Sequence, residues 1–308
     1  MSDARVPQIM KQGRIAPWLY VAPALLIMTA FIVYPGINTF LLSFQNADAT
    51  QSAAAACVEG QPCWGIFENF RYALTSPTML TAFRNNLLWV IFMVGGTVGL
   101  GLLVAVLADR VKYEPLAKAI IFMPMAISFV GAGIIWKFVY AYGTGQVQIG
   151  LLNAIVTALG GQPVSWLSEP GINNFALIIV GVWMWTGFCM TILSASLKSV
   201  PNELLEAARV DGATEWTVFW KIMMPIIMPT IAVVVTTMVI NVLKIFDIVY
   251  VMTGGNYGTE VIANRMYGEM YIRQQSGRSA AIAVILIVLT IPFMIWNIRR
   301  FREQEAIR

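Results

Sequence analysis

The stretch Glu206-Ala207-Ala208-Arg209-Val210-Asp211-Gly212-Ala213 is a charged patch between two long apolar segments. The flanking residues 170–197 and 222–243 contain no Asp, Glu, Lys or Arg. Each flank is long enough to cross a bilayer, because a membrane helix needs roughly 20 apolar residues. The pattern predicts two spanning helices joined by a short polar loop.

Four further charge-free windows extend this pattern toward both ends of the chain. They are residues 15–47, 85–108, 119–136 and 279–298. Only 12% of the 308 residues are charged, against about 25% in soluble domains. Lipid offers the backbone no hydrogen-bond partner, which favours helices, and the windows lack the alternation of barrel strands. The sequence therefore predicts an all-α integral membrane protein with six transmembrane helices.

The distribution of basic residues predicts the orientation of these helices. If the N-terminus is cytoplasmic, the inner segments hold 13 Lys and Arg residues and the outer segments hold five. Basic residues accumulate on the cytoplasmic side of membrane proteins, so we expect both termini to be cytoplasmic. The net charge of +4 is then a topology signal, and no nucleic-acid partner is expected.

The window limits also predict the organisation of the chain. We expect a cytoplasmic N-terminus over 1–16, a first span over 17–44, an extracytoplasmic loop over 45–82, a membrane domain over 83–298 and a cytoplasmic C-terminus over 299–308. The later spans are expected near 85–108, 117–141, 173–197, 229–251 and 280–298. The polar loop 198–228 lies inside the membrane domain.

That polar loop is predicted to hold two short helices joined by a glycine. Pro201 suits a first helical turn, where its missing N–H has no partner to lose. Asp211-Gly212 indicates a break, because glycine accepts the left-handed conformation that ends helices. A second helix is expected over 214–224. Small alanines at 207, 208 and 213 would let another protein's surface approach closely.

The wider spacing resembles that of the sugar branch of binding-protein-dependent ABC-importer permeases. Glu-Ala-Ala at 206–208 precedes Asp-Gly-Ala at 211–213, Pro225 and Pro229. Residues 246–255, FDIVYVMTGG, are similar to the FD-x-IYVLTGG run of that branch. The chain looks like the first of two permease partners, the maltose- and glycerol-3-phosphate-type half. This resemblance implies a type I importer fold and a carbohydrate substrate, a di- or oligosaccharide such as an α-glucoside.

The same resemblance implies the partners and the coupling site. A second homologous permease, two ATPase subunits and an extracytoplasmic sugar-binding protein would assemble with this chain among the lipids of a prokaryotic inner membrane. The residues implied to dock on an ATPase are Glu206, Ala207, Ala208, Asp211, Gly212 and Ala213. The chain has no G-x-x-x-x-G-K-[ST] phosphate loop, so ATP and Mg²⁺ would bind the ATPases. No cofactor, metal or enzymatic activity is expected in this subunit.

Candidate pathway residues lie in the predicted fourth and fifth spans. Asn241, Lys244 and Asp247 are spaced by three and would share one helical face. Ionisable groups inside membranes are costly and often functional, so these residues would line the pathway. An internal Lys244–Asp247 ion pair that fixes packing is the alternative. Trp183 would offer a stacking face to a sugar, or would simply pack.

The three cysteines have separate expected roles. Cys57 and Cys63 fall in the predicted outer loop, where an oxidising compartment permits a disulfide, and two free thiols are the alternative. Cys189 is expected to be a small packing residue.

Two other function classes compete with a permease subunit. A secondary transporter driven by an ion gradient would show internal repeats and broken spans. No repeat is evident in the sequence, and that class leaves the 206–229 pattern unexplained. A membrane-embedded enzyme is disfavoured because the chain has no histidine and no convincing acidic pair inside its spans.

Overall fold

The computed structural model describes residues 16–46, 63–64, 67–109, 111–143 and 149–306. Most of these residues are helical. The helices are α1 Trp18–Leu42, α2 Glu68–Thr75, α3 Pro77–Ala108, α4 Glu114–Ala126, α5 Phe129–Val139, α6 Leu151–Ala158, α7 Asn173–Lys198, α8 Asn202–Val210, α9 Glu215–Leu243, α10 Asp247–Met252, α11 Ile262–Tyr267 and α12 Ser276–Ala306. Two strands, β1 Gln45–Asn46 and β2 Cys63–Trp64, pair antiparallel.

Five of the described helices are long and apolar enough to cross a membrane. They are α1, α3, α7, α9 and α12, and the bent pair α4 and α5 makes a sixth if it is one span. The all-α prediction is therefore confirmed apart from the short strand pair. The span of α3 begins at Pro77, earlier than the predicted 85, because Pro77 occupies the first helical turn and the Ser76 side chain accepts from Met79 N at 3.4 Å.

The third predicted span is broken. Residues 117–141 do not form one continuous helix, because α4 and α5 meet at an angle of 98°. Pro124 lies in a tight 3₁₀ turn over Met123–Ala126, since proline cannot continue an α-helical hydrogen-bond ladder. Ser128 is extended, and its hydroxyl accepts from Gly131 N at 3.1 Å to start α5.

The fifth predicted span is displaced along the chain. The expected short helix over 214–224 begins where predicted, but it continues without interruption to Leu243 as α9. The chain then leaves the helical conformation at Lys244 and Phe246 and restarts as α10 at Asp247. The prediction of a span over 229–251 is therefore wrong at its C-terminal end.

Helix α7 is the centre of the hydrophobic core and packs most extensively on α3. The two helices approach closely at Gly101, where an added Cβ would lie 2.6 Å from Cys189 Cβ. Cys189 is fully buried and free, which confirms its packing role. Gly95 and Gly99 face open space in the described structure, so their G-x-x-x-G spacing does not form this contact.

Four buried asparagines hold the irregular backbone that follows α9. This asparagine belt consists of Asn85 and Asn86 on α3 and Asn173 and Asn174 on α7. Its hydrogen bonds run from Asn85 Nδ2 to Gly258 O (2.7 Å) and Glu260 O (2.8 Å), from Asn86 Nδ2 to Leu243 O (3.2 Å), from Ile262 N to Asn86 Oδ1 (2.9 Å) and from Asn173 Nδ2 to Tyr257 O (2.7 Å). Buried backbone groups require such partners, and the belt provides them for part of the irregular segment.

Candidate coupling surface and pathway residues

The polar loop turns at Gly212, as its sequence predicts. Helix α8 ends at Val210, and Gly212 has a left-handed φ of +83°. Gly212 N donates to Arg209 O at 3.0 Å, and Ala213 N donates to Ala208 O at 2.9 Å. These two bonds form the Schellman motif, which satisfies the last carbonyls of a helix through a left-handed residue. The Thr214 side chain then accepts from Thr217 N at 3.3 Å and starts α9.

An ion pair braces the two sides of this turn. Arg209 Nε donates to Glu215 Oε1 at 2.7 Å, and Nη2 donates to Oε2 at 3.4 Å. The hydrogen bond to Glu215 raises the pKa of the Arg209 guanidinium. Two parallel contacts from a planar guanidinium restrict orientation more than a single point contact does. The pair therefore limits the angle between α8 and the start of α9.

The predicted coupling residues are brought together on one exposed knob, which comprises α8, the Gly212 turn and the first turn of α9. Glu206, Ala207, Asp211 and Gly212 are exposed, and Ala208 and Ala213 are half-buried. Large apolar side chains stand beside them, with Val210 87% exposed and Trp216 72% exposed. An apolar patch rimmed by charged residues is typical of a protein interaction site.

A cluster of ion pairs, missed in the sequence, lies where the knob meets the membrane helices. Lys118 Nζ lies 2.5 Å from Asp109 Oδ1 and 2.6 Å from Glu114 Oε1. Lys198, at the end of α7, also bonds Glu114, and the Ser194 hydroxyl donates to Asp109 at 2.8 Å. The cluster ties together the ends of α3, α4 and α7. The charged run 109–118 is the sequence signal, but it does not reveal the partner on α7.

The structure separates the three residues of the predicted polar stripe. Asn241 lies in the last turn of α9, Lys244 follows the end of that helix and Asp247 begins α10. They do not share one continuous helical face. Neither Lys244 nor Asp247 forms an ion pair with any described residue, so the internal ion-pair alternative is wrong for this structure.

Asn241 instead faces the last spanning helix. It lines a hollow of about 270 Å³ together with Thr237 of α9 and Met294 and Asn297 of α12. Its own Nδ2 donates to Thr237 O at 2.9 Å. The side-chain oxygen of Asn241 and the side-chain amide of Asn297 are groups that can bind hydroxyls.

Of the remaining predicted residues, Trp183 is described in full, whereas the cysteine pair is not. The Trp183 ring packs edge-on against Trp136 with centroids 5.6 Å apart, next to the core. Cys57 lies outside the described residues, and only the backbone of Cys63 is described. Pairing of Cys57 with Cys63 stays a prediction.

Comparisons with known proteins add a family and a fold. Residues 97–298 match the family model described as the binding-protein-dependent transport system inner membrane component. The osmoprotective compounds uptake permease protein GgtC of Synechocystis sp. is 54% identical over 94% of this chain and 100% of that protein. The alpha-glucoside transport system permease protein AglF of Rhizobium meliloti is 46% identical over 95% of this chain and 84% of that protein.

A solved structure has the same overall architecture. It is a bacterial ABC transporter involved in the import of alginate, and one of its chains matches with a TM-score of 0.76 over 93% of this chain and 96% of that one. The sequences are 22% identical, so this likeness establishes the fold alone.

Proposed function

Because the chain belongs to the family of binding-protein-dependent transport system inner membrane components, we propose that it is a permease subunit that imports a di- or oligosaccharide such as an α-glucoside. The α-glucoside assignment is supported by the 46% identity to AglF. ATP hydrolysis is assigned to two partner ATPases, and the pathway to this chain and a second permease. An extracytoplasmic binding protein delivers the sugar.

The observation that carries this proposal is the exposed knob. Its turn is fixed by the Schellman bonds at Gly212 and by the Arg209–Glu215 pair. The apolar Val210 and Trp216 side chains stand out from it beside Glu206. A rigid, partly apolar projection of this kind is suited to bind in a groove of the ATPase, whose movement it would then follow.

One continuous helix joins the knob to the proposed pathway residues. Helix α9 runs without interruption from Glu215, inside the knob, to Leu243, beside the hollow at Asn241. A displacement of the knob would therefore move the far end of α9 against α12. In this mechanism ATP binding closes the ATPases, the knob moves with them, and the pathway opens to the opposite side.

Asn241, Lys244, Asp247 and Trp183 remain proposed pathway residues. The first three flank the break between α9 and α10. Irregular backbone inside membrane proteins is tolerated where it is buried or lines a cavity, and helix breaks often form binding sites in transporters. The amide, ammonium and carboxylate groups at this break are suitable partners for sugar hydroxyls.

A secondary transporter is the second candidate, because the structure contains interrupted helices of the kind found in many members of that class. The 98° bend between α4 and α5 and the break after Leu243 are both examples. An ion-gradient carrier has no use for the exposed knob, however, and would transport without an ATPase.

One reconstitution experiment separates these candidates. The chain is co-expressed with its permease and ATPase partners, and sugar uptake into proteoliposomes is measured with binding protein outside. We expect uptake that requires internal ATP, and Glu206→Lys should abolish co-purification of the ATPase. Glu169→Lys, the same charge reversal at an exposed position far from the knob, serves as the control. Uptake by the chain alone, driven by an ion gradient without ATP, would overturn the proposal.

A further inference from the structure

A second polar hollow, of about 510 Å³, lies between α10, the turn 253–261 and α11. We refer to it as the outer hollow, because the segment between α9 and α12 is predicted to face the extracytoplasmic side. Its lining includes Tyr250, Gly255, Glu260, Asn264, Tyr267 and Arg273. The volume is within the range of about 300–1,000 Å³ that small-ligand sites occupy.

The outer hollow is supported by fixed backbone. Gly254, Gly255 and Gly258 have left-handed φ values of 64°, 80° and 76°. Asn85 of the asparagine belt donates to the carbonyls of Gly258 and Glu260 and fixes the turn to α3. The Thr253 and Thr259 hydroxyls, both buried, lie 2.6 Å apart across the turn. A site held this way is formed before any ligand arrives, which lowers the entropic cost of binding.

Aromatic rings form one wall of the outer hollow. Tyr250 stacks on Phe246 with centroids 5.0 Å apart and an interplanar angle of 23°. The Tyr267 ring lies 5.0 Å from Tyr250 at 66°, so the two tyrosines meet at a corner. Tyr250 is 43% exposed. A tyrosine ring combines an apolar face with a hydroxyl, which matches the apolar C–H face and hydroxyl edge of a sugar.

Hydrogen-bonding groups also line the outer hollow. Glu260 Oε1 accepts from Asn264 Nδ2 and from Val261 N, and no described residue donates to its Oε2. Gly255 makes room for this pair, since an added Cβ would lie 2.6 Å from both Glu260 Oε1 and Asn264 Nδ2. The carboxylate therefore has an acceptor oxygen available for a ligand hydroxyl.

The charges around the outer hollow balance. Arg265 and Arg273 line it, and Glu260 and the buried Glu269 oppose them. Arg265 Nη2 lies 2.7 Å from Glu269 Oε1, and Arg273 Nη1 lies 3.7 Å from it. Two positive and two negative formal charges give no net attraction for a phosphate or an ammonium. The composition favours a neutral ligand rich in hydroxyls.

We propose that the outer hollow is a carbohydrate subsite, in which Tyr250 packs against a sugar ring and Glu260 accepts from its hydroxyls. It is distinct from the hollow at Asn241, which lies between α9 and α12. The proposal rests on the proposed function, because it assigns the ligand as a neutral unit of the transported glycoside. The site would hold sugar at the outer side of the pathway before it reaches α9.

Direct binding to the assembled transporter tests this subsite. The complex in nanodiscs, without binding protein, is titrated with maltose, trehalose and sucrose by saturation-transfer NMR. Tyr250→Leu keeps an apolar side chain of similar bulk, and Glu260→Gln keeps shape while removing the carboxylate. For at least one sugar we expect binding that weakens about tenfold in Glu260→Gln, as for loss of one hydrogen bond to a charged group, and comparably in Tyr250→Leu. Tyr142→Leu, at an exposed tyrosine outside the hollow, should leave binding unchanged.

The outcomes separate this proposal from the function itself. Thermal unfolding of each variant is recorded first, and Glu260→Gln decides the matter if Tyr250→Leu is unstable. If the complex imports sugar with ATP but both variants bind like the wild type, the subsite is overturned and the function stands. If the wild type binds none of the three sugars in this assay, the subsite is also overturned. If binding depends on Tyr250 and Glu260 but no ATP-driven uptake occurs, the subsite stands and the proposed function fails.

Discussion

The side-chain nitrogen Nδ2 of Asn86 donates to the backbone carbonyl oxygen of Leu243 at 3.2 Å, and this bond secures the last residue of α9 to α3. The Asn86 side-chain oxygen Oδ1 accepts from Ile262 N at 2.9 Å, at the first residue of α11. One buried side chain thus joins the two ends of an irregular segment of the backbone. The break in the fifth span is therefore held by a residue that lies far from it in sequence.

Replacement of Asn86 should therefore destabilise the protein. Asn86→Leu removes both hydrogen bonds. The backbone groups Leu243 O and Ile262 N then lose their partner on α3. Each buried unsatisfied group costs about 1–3 kcal/mol, so we expect a clear fall in the thermal unfolding temperature of the purified protein in detergent. The control is Asn38→Leu, the same change at an exposed position in α1. Equal unfolding temperatures for the two variants would contradict the role of Asn86.

The Gly212 turn should tolerate asparagine but not valine. Its φ of +83° is left-handed, a conformation that asparagine visits and that β-branched residues strongly resist. We expect Gly212→Val to insert in the membrane yet lose sugar-stimulated ATP hydrolysis in the assembled transporter, whereas Gly212→Asn retains most of it. Because the space around Gly212 is open, side-chain volume alone would not make Gly212→Val and Gly212→Asn differ. Full stimulation in Gly212→Val would show that the turn geometry is not needed for coupling.

These two sites show what sequence patterns can and cannot predict in this chain. The Gly212 turn was predictable, because a left-handed residue after a helix is a local property of Asp-Gly. The break after Leu243 was not, since Lys244 and Asp247 are the only charged residues between 222 and 255 and hydropathy does not record whether the backbone stays helical. The consecutive pairs Asn85-Asn86 and Asn173-Asn174 were the available signal. Asparagine side chains at the start of apolar runs indicate buried hydrogen bonds. Their partners lie far away in sequence, so the sequence does not identify them.

The ion-pair cluster at Lys118 should contribute to stability. Lys118 contacts both Asp109 and Glu114 and is only 20% exposed. Lys118→Met leaves both carboxylates with fewer partners, and we expect a loss of about 1–2 kcal/mol, between the values for exposed and buried pairs. Lys112→Met, at an exposed lysine of the same connection, should change the unfolding free energy by less than about 0.5 kcal/mol. Chemical unfolding of both variants measures the difference, and an equal effect would show that the ion-pair cluster does not stabilise the protein.

The Glu260 carboxyl should make stability depend on pH in a defined direction. Burial raises its pKa above the ordinary value of 4.5, although Asn264 and Arg265 act in the opposite sense. A raised folded pKa means that the neutral form is favoured in the folded state, so stability is highest below the unfolded pKa and falls as pH rises through the folded pKa. Glu260→Gln cannot titrate. Without sugar, its unfolding temperature relative to wild type should therefore rise as pH increases from 4.5 and then level off. A difference in unfolding temperature between Glu260→Gln and the wild type that stays constant with pH would contradict a raised pKa of Glu260.

Lys244 should matter for transport and not for stability. It is exposed, and its ammonium has no ion-pair partner among the described residues, so Lys244→Met should change the unfolding free energy by less than about 0.5 kcal/mol. If Lys244 binds sugar at the break, the same variant should reduce uptake by the assembled transporter. The double variant Lys244→Met with Asp247→Leu tests the ion-pair interpretation, under which the second change should restore what the first removes. Because the structure separates these residues, we expect the double variant to transport no better than Lys244→Met. Wild-type uptake by the double variant would exclude both residues from the pathway.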